Sequence, residues 1–195
     1  MSRSRYGIST EDIFPSYLSS HHYVHSDFDY YTSYDPNVNI GENFKNYDLR
    51  FWGDISRAIR EIFRVNCVVD SFNVSSNLSV KDNSLRELIA TFDSVTKLDI
   101  SYCTNISSDA LMLLPNIKKL SDLNISGLKA VESDLLRETL GRFSSLKILN
   151  LSNCICLDDN GLILIAKYAS YLEQLVLREN ENITHHGVNL SLIHI

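Results

Sequence analysis

Five stretches of this chain repeat one apolar pattern at a nearly constant interval, and that period limits the fold more than any other feature. "LKILNLSNCICLDDNGLILIA" runs from Leu146 to Ala166. "LSDLNISGLKAVESDLLRETL" begins at Leu120, "VTKLDISYCTNISSDALMLL" at Val95 and "LEQLVLRENENITHHGV" at Leu172. A weaker copy, "DSFNVSSNLSVKDNSLREL", begins at Asp70. Aligned, the copies put Phe72, Leu98, Leu123, Leu149 and Leu175 in one column, with spacings of 26, 25, 26 and 26 residues. A unit this short cannot bury its own apolar side. Stacked neighbours bury it for one another, so the period predicts a solenoid.

Each copy changes rhythm partway. The pairs Phe72/Val74, Leu98/Ile100, Leu123/Ile125, Leu149/Leu151 and Leu175/Leu177 lie two residues apart, the spacing of a strand with one face buried. A second apolar column follows: Val80, Ile106, Val131, Leu157 and Ile183. Then Leu85/Leu88, Leu111/Leu114, Leu136/Leu140 and Leu162/Ile165 take the helical spacing. Asp82, Ser107 or Ser108, Ser133, Asp158 or Asp159, and Thr184 stand where side-chain oxygens cap a first helical turn. Each unit therefore reads as strand, corner and helix.

The corner holds Asn77, Cys103, Leu128, Cys154 and Asn180. Asn and Cys suit a bend where a side chain turns inward to backbone groups. A period in the twenties, an L-x-L core and this column resemble the cysteine-containing subclass of leucine-rich repeats. "LDISYCTNISSDAL" from Leu98 and "LNLSNCICLDDNGL" from Leu149 carry the resemblance, which covers residues 69 to 188. It implies an α/β solenoid of about five repeats, with short parallel strands on the concave face and helices on the convex face. The subclass is common in F-box and leucine-rich repeat proteins.

The flanks lack the period. Residues 1–46, with "SSHHYVHSDFDYYTSYDPN", are rich in Ser, Tyr, His and Asp and read as disordered or loosely packed. Residues 47–66 read as a capping helix from Asp54, with Ile55, Ile59, Ile62 and Phe63 on one face and Trp52 beside them. The repeat domain then occupies residues 67–195, its last repeat incomplete. No apolar run approaches the roughly 20 residues of a membrane span, and the first residues lack a signal core, so a cytoplasmic location is expected.

The chemistry-bearing residues have plainer explanations. His21, His22 and His25 cluster in the Tyr-rich flank, where solvated histidines are the rule. Cys154 and Cys156 form a C-x-C pair, yet Cys154 already belongs to the corner column; with Cys67 and Cys103 they read as reduced thiols without zinc. The sequons at Asn73, Asn105, Asn124, Asn150 and Asn182 arise from the repeat itself and read as unused. No phosphate loop, nucleophile elbow or metalloprotease helix appears. No enzyme activity, cofactor or metal is expected.

The strand residues that alternate with the core form the candidate surface. Its columns are Ser71, Lys97, Asp122, Ile148, Gln174; then Asn73, Asp99, Asn124, Asn150, Val176; then Ser75, Ser101, Ser126, Ser152, Arg178. A protein partner is expected there, on Asp99, Tyr102, Asn124, Ile148, Asn150, Val176 and Arg178, and the few basic residues argue against nucleic acid. The F-box resemblance implies a ubiquitin-ligase substrate receptor bound to a Skp-type adaptor, with "STEDIFPSYLSS" at residues 9–20 as its faint F-box echo and Pro15 as a breaker inside it. "RFWGDI" and "SGLKAVESDLL" also resemble mitochondrial leucine-rich repeat proteins of respiratory-complex or ATP-synthase assembly.

Overall fold

A computed structural model describes residues 46–64 and 68–192. The expectations for the first 45 residues, including the histidine cluster and the F-box echo, lie outside that range, as does Cys67. Six strands form one parallel sheet in chain order: β1 (Asn46–Asp48), β2 (Ser71–Asn73), β3 (Lys97–Asp99), β4 (Asp122–Asn124), β5 (Ile148–Asn150) and β6 (Gln174–Val176). Six helices alternate with them: α1 (Ile55–Arg64), α2 (Asp82–Thr91), α3 (Ser108–Leu111), α4 (Ser133–Thr139), α5 (Asp159–Tyr168) and α6 (His185–Leu192). This is the leucine-rich repeat solenoid, and the expected register holds without a slip: Phe72 pairs with Leu98, Leu98 with Leu123, Leu123 with Leu149, and Leu149 with Leu175. No helix among the described residues is long and apolar enough to cross a membrane.

β1 adds a strand to the segment read as a helix alone. Tyr47 pairs with Phe72, and Leu49 is fully buried, so residues 46–64 form a strand-and-helix unit of their own. Aromatic rings replace leucines at this end: Tyr47 stacks on Phe72 at 5.7 Å and Phe72 meets Phe92 at 5.0 Å. Such pairs add about 1 kcal/mol beyond the area they bury. In α1, Ile55, Ile59 and Ile62 are buried, but Phe63 is 59% exposed, touching only the edge of Phe92. Phe63 follows Ile62 by 100°, which carries it off the buried stripe.

The corner column joins each repeat to the one before. The Asn77 amide donates to the Leu49 and Trp52 carbonyls at 3.0 and 2.8 Å. The Cys103 thiol donates to the Val74 carbonyl at 3.0 Å and the Cys154 thiol to that of Ile125 at 3.5 Å. The Asn180 amide reaches the Leu151 carbonyl at 2.9 Å, while its oxygen accepts the Cys154 N–H at 2.8 Å. Burial pushes both thiols up to about 11, so they stay protonated donors at neutral pH.

The residue before each corner is left-handed: Ser76, Tyr102, Gly127, Asn153 and Glu179 all have φ between 54° and 72°. At the four positions with a side chain this conformation costs about 1 kcal/mol each. At Gly127 the lack of a side chain serves a second purpose, because a Cβ there would run into the Tyr102 ring.

The helix starts are linked as well as capped. Ser107 caps α3 and Asp158 caps α5, as expected. Asp82 and Ser133 instead lie inside their first turns, with Lys81 and Glu132 at the cap positions. The Asp82 carboxylate accepts the Ser107 N–H and hydroxyl of the next repeat at 2.8 and 2.6 Å. Asp159 does the same for Thr184 at 2.7 and 2.6 Å, and Ser133 donates to Asp158 at 3.1 Å.

Two expected outcomes follow from this packing. Leu149 is 1% exposed at the centre of the stack, so Leu149→Asp buries an unpaired charge and costs several kcal/mol, roughly 3 or more. A melt unchanged from wild type would overturn the register. The second concerns acid. Hydrogen bonds from Ser107 and Thr184 hold Asp82 and Asp159 below the usual carboxylate range, as the Gly161 N–H does for Asp158. A lowered folded-state value stabilises above the unfolded carboxylate value of about 3.9 and is lost as the pH falls through the folded one. The Asp82→Asn/Asp159→Asn variant should therefore melt earlier than wild type at neutral pH and lose less between about pH 5 and pH 2. Parallel curves would show that the links carry no charge.

Candidate interaction site on the strand-lined face

The three outward columns prove unequal. In the middle column, side-chain oxygens turn back onto the chain two residues later. Asn73, Asp99, Asn124 and Asn150 accept the N–H groups of Ser75, Ser101, Ser126 and Ser152 at 3.0 to 3.2 Å, closing an Asx turn at each strand end. Asp48 does so for Arg50 at 3.2 Å. Asn124 also donates to Asp99 across the strands at 3.0 Å. The expected partner residues Asp99, Asn124 and Asn150 thus have a structural task on the face they line.

The serine column is not uniformly exposed. Ser101 and Ser126 are 5% and 6% exposed, because their hydroxyls bend back to Asp99 and Asn124 at 2.6 and 2.8 Å. This column is a line of small side chains. Arginines close it at both ends. Arg50 folds onto Asp48 with Nε and Nη2 at 2.9 and 2.7 Å. That bond, more than any other cause, raises its pKa. Arg178 is exposed, and no acidic side chain among the described residues forms an ion pair with it.

β6 departs from the pattern. Val176 has no side-chain oxygen for an Asx turn, and the Arg178 N–H is met by the Ser152 hydroxyl at 3.2 Å instead. Val176 and Ile148 are half-buried on adjacent strands, where Asn150 pairs with Val176 and Ile148 with Gln174. Tyr102 lies apart from this group, on the rim. It is 42% exposed, its ring lies over Gly127, and its hydroxyl sits 3.4 Å from the Asn153 amide. Of the seven expected residues, Ile148, Val176 and Arg178 lie on and just after the last two strands, Ile148 facing Gln174, while Asp99, Asn124 and Asn150 hold turns and Tyr102 straps the rim.

The sequons have structural work too. The Asn105 and Asn182 amides each donate at 2.7 Å to the preceding repeat, on the Leu78 and Ile155 carbonyls. Cys156 is exposed, whereas Cys103 and Cys154 are buried.

The class this geometry defines is the leucine-rich repeat solenoid, and solved structures of that class overlay on it. Yeast Rad7, solved in complex with Elc1, matches 69% of this chain with a TM-score of 0.58 and 16% identity. The leucine-rich repeat protein LegL7 of Legionella pneumophila matches 77% with a TM-score of 0.57 and 24% identity. The tropomodulin C-terminal domain of Caenorhabditis elegans matches 72%, with a TM-score of 0.54 and 13% identity. This chain spans 37% of the Rad7 structure, 51% of LegL7 and 90% of the tropomodulin domain. In sequence, 89 residues are 33% identical to EEED8.10 of Caenorhabditis elegans, provisionally named an RNA-binding protein; they make up 44% of this chain and 12% of that one. No protein-family model matches.

Truncation should separate the two kinds of residue. Asn150→Ala opens an Asx turn and should cost about 1 kcal/mol in urea unfolding, whereas Arg178→Ala should stay within about 0.5 kcal/mol of wild type. Equal losses would mean that Arg178 also supports the fold.

Proposed function

We propose that this protein is a non-catalytic interaction module that binds another protein through its strand-lined, concave face. The observation that carries this reading is the group Ile148, Val176 and Arg178. Two half-buried apolar side chains and an exposed guanidinium lie on and just after the last two strands, and Val176 takes the place where every other described repeat has an Asn or Asp whose side chain closes a turn. Apolar contact beside a charge-assisted hydrogen bond is the chemistry of an interface anchor. The sheet presents such anchors on a rigid base, and leucine-rich repeat neighbours support the same class of role.

A second, finer reading is the substrate-recognition subunit of an F-box-type ubiquitin ligase. The cysteine-containing repeats favour it, and Rad7 offers a protein of this fold seen in a complex. Co-purification of a Skp-type adaptor with the full-length product tests it. Mitochondrial fractionation tests the assembly-factor alternative. RNA binding, suggested by the name of the worm protein, fits less well, because Asp48, Asp99 and Asp122 share the face with few cations.

The test of the main reading is a pull-down with two triple-alanine variants. One replaces Ile148, Val176 and Arg178. The other replaces Glu87, Arg137 and Lys167 on the helices. Asp99 and Asn150 are left intact, because their loss opens turns and would confuse unfolding with lost binding. The strand-face variant should keep its fold and lose its partner, with affinity falling by about 2 kcal/mol or more. Loss on the helix variant alone would make the strand face a structural ladder.

A further inference from the structure

Resting on that reading, we infer that the partner presents an extended segment in which an acidic side chain stands next to an apolar one, the carboxylate seated on Arg178 and the apolar group on Ile148 and Val176. The two arginines at the ends of the serine column show why. Arg50, at one end, has its carboxylate supplied from within the chain, Asp48, held through two guanidinium nitrogens. Arg178, at the other end, stands in the same column with Val176 where Arg50 has Asp48. Arg178 is exposed and has no carboxylate of the described residues on it, so a carboxylate from outside is the group its fork would take.

The flat fork of a guanidinium also takes phosphate, but the rest of the face selects between them. A nucleic acid continues as a line of charge, and Asp99 and Asp122 lie where that line would cross the sheet. An acidic residue flanked by an apolar one puts its charge on Arg178 and an uncharged group on the neighbouring strands.

The test is selection of a random peptide library displayed on phage against the immobilised full chain, repeated with Arg178→Glu. Peptides enriched on the wild type should carry Asp or Glu beside an apolar residue. As synthetic peptides they should bind about tenfold more weakly to Arg178→Ala and lose affinity as salt is raised. Selection on Arg178→Glu should enrich Lys or Arg at the same place. Circular dichroism melts matching the wild type keep the comparison one of binding. Enriched peptides with no acidic residue that still depend on Val176 and Ile148 would overturn this inference and leave the interaction face standing. Peptides unaffected by any of the three substitutions would overturn both. An empty selection, or a labelled oligouridine probe that binds in an Arg178-dependent way, would overturn the acidic segment.

Discussion

The stack depends on strand-end carbonyls that a side chain of the next repeat helps to satisfy. A strand of three residues bends away at once, and the carbonyls at the bend point into the stack, where water is absent. The corner side chain of the next repeat meets them: an amide from Asn77 and Asn180, a thiol from Cys103 and Cys154. A buried polar group left unmet costs about 1–3 kcal/mol; the Leu49 and Val74 carbonyls also accept the Trp52 and Asn77 N–H groups at 3.2 Å, so there the side chain adds a second bond. Leu128 is the exception in the column. It offers no donor, and the Ile100 carbonyl of the preceding repeat is left to the Cys103 N–H at 3.3 Å. Through this column four of the five corners complete a carbonyl of the repeat before.

This stitching explains which features were legible in the sequence. The column from Phe72 to Leu175 could be read because apolar burial demands the same residue type at the same place in every copy. The corner column could be read for a related reason: only a few side chains are small enough and able to donate. β1 was not legible, because its core is aromatic; Tyr47 fills the place of a leucine by stacking on Phe72. The left-handed column was also hidden. Gly127 and Asn153 hint at it, but Tyr102, Ser76 and Glu179 are poor formers of that conformation, and the N–H groups of Ser76 and Tyr102 are held by carbonyls of the next repeat.

The candidate site was legible only in part, for a different physical reason. Strand alternation says which side chains point outward, and it was right about that. It does not say which of them then bend back. Asn73, Asp99, Asn124 and Asn150 face outward and spend their oxygens on the backbone two residues along, a local bond that competes with any partner. Ser101 and Ser126 are drawn under cover by the same turns. A column of Asn and Asp followed by Ser is the signature of that turn, and it was present in the sequence as N-x-S and D-x-S.

A solenoid face is therefore free to specialise only where a repeat gives up a turn. The first repeats use the Asx turn at every strand end, so their outward residues are fixed by the needs of the backbone. β6 gives it up: valine replaces the turn-forming residue, and a serine hydroxyl from the neighbouring strand takes over the orphaned N–H. The substitution costs the repeat a local hydrogen bond and gains it an apolar side chain on an open face. It also leaves Arg178 without the carboxylate that Asp48 provides for Arg50 in the first repeat. An exposed arginine loses nothing by this in water. It gains energy from a partner only if that partner brings both the carboxylate and enough apolar surface to exclude solvent around it, because an exposed ion pair alone is worth about 0–1 kcal/mol. On the proposed reading Ile148 and Val176 supply the second condition, so that the charge and the apolar pair would act as one anchor.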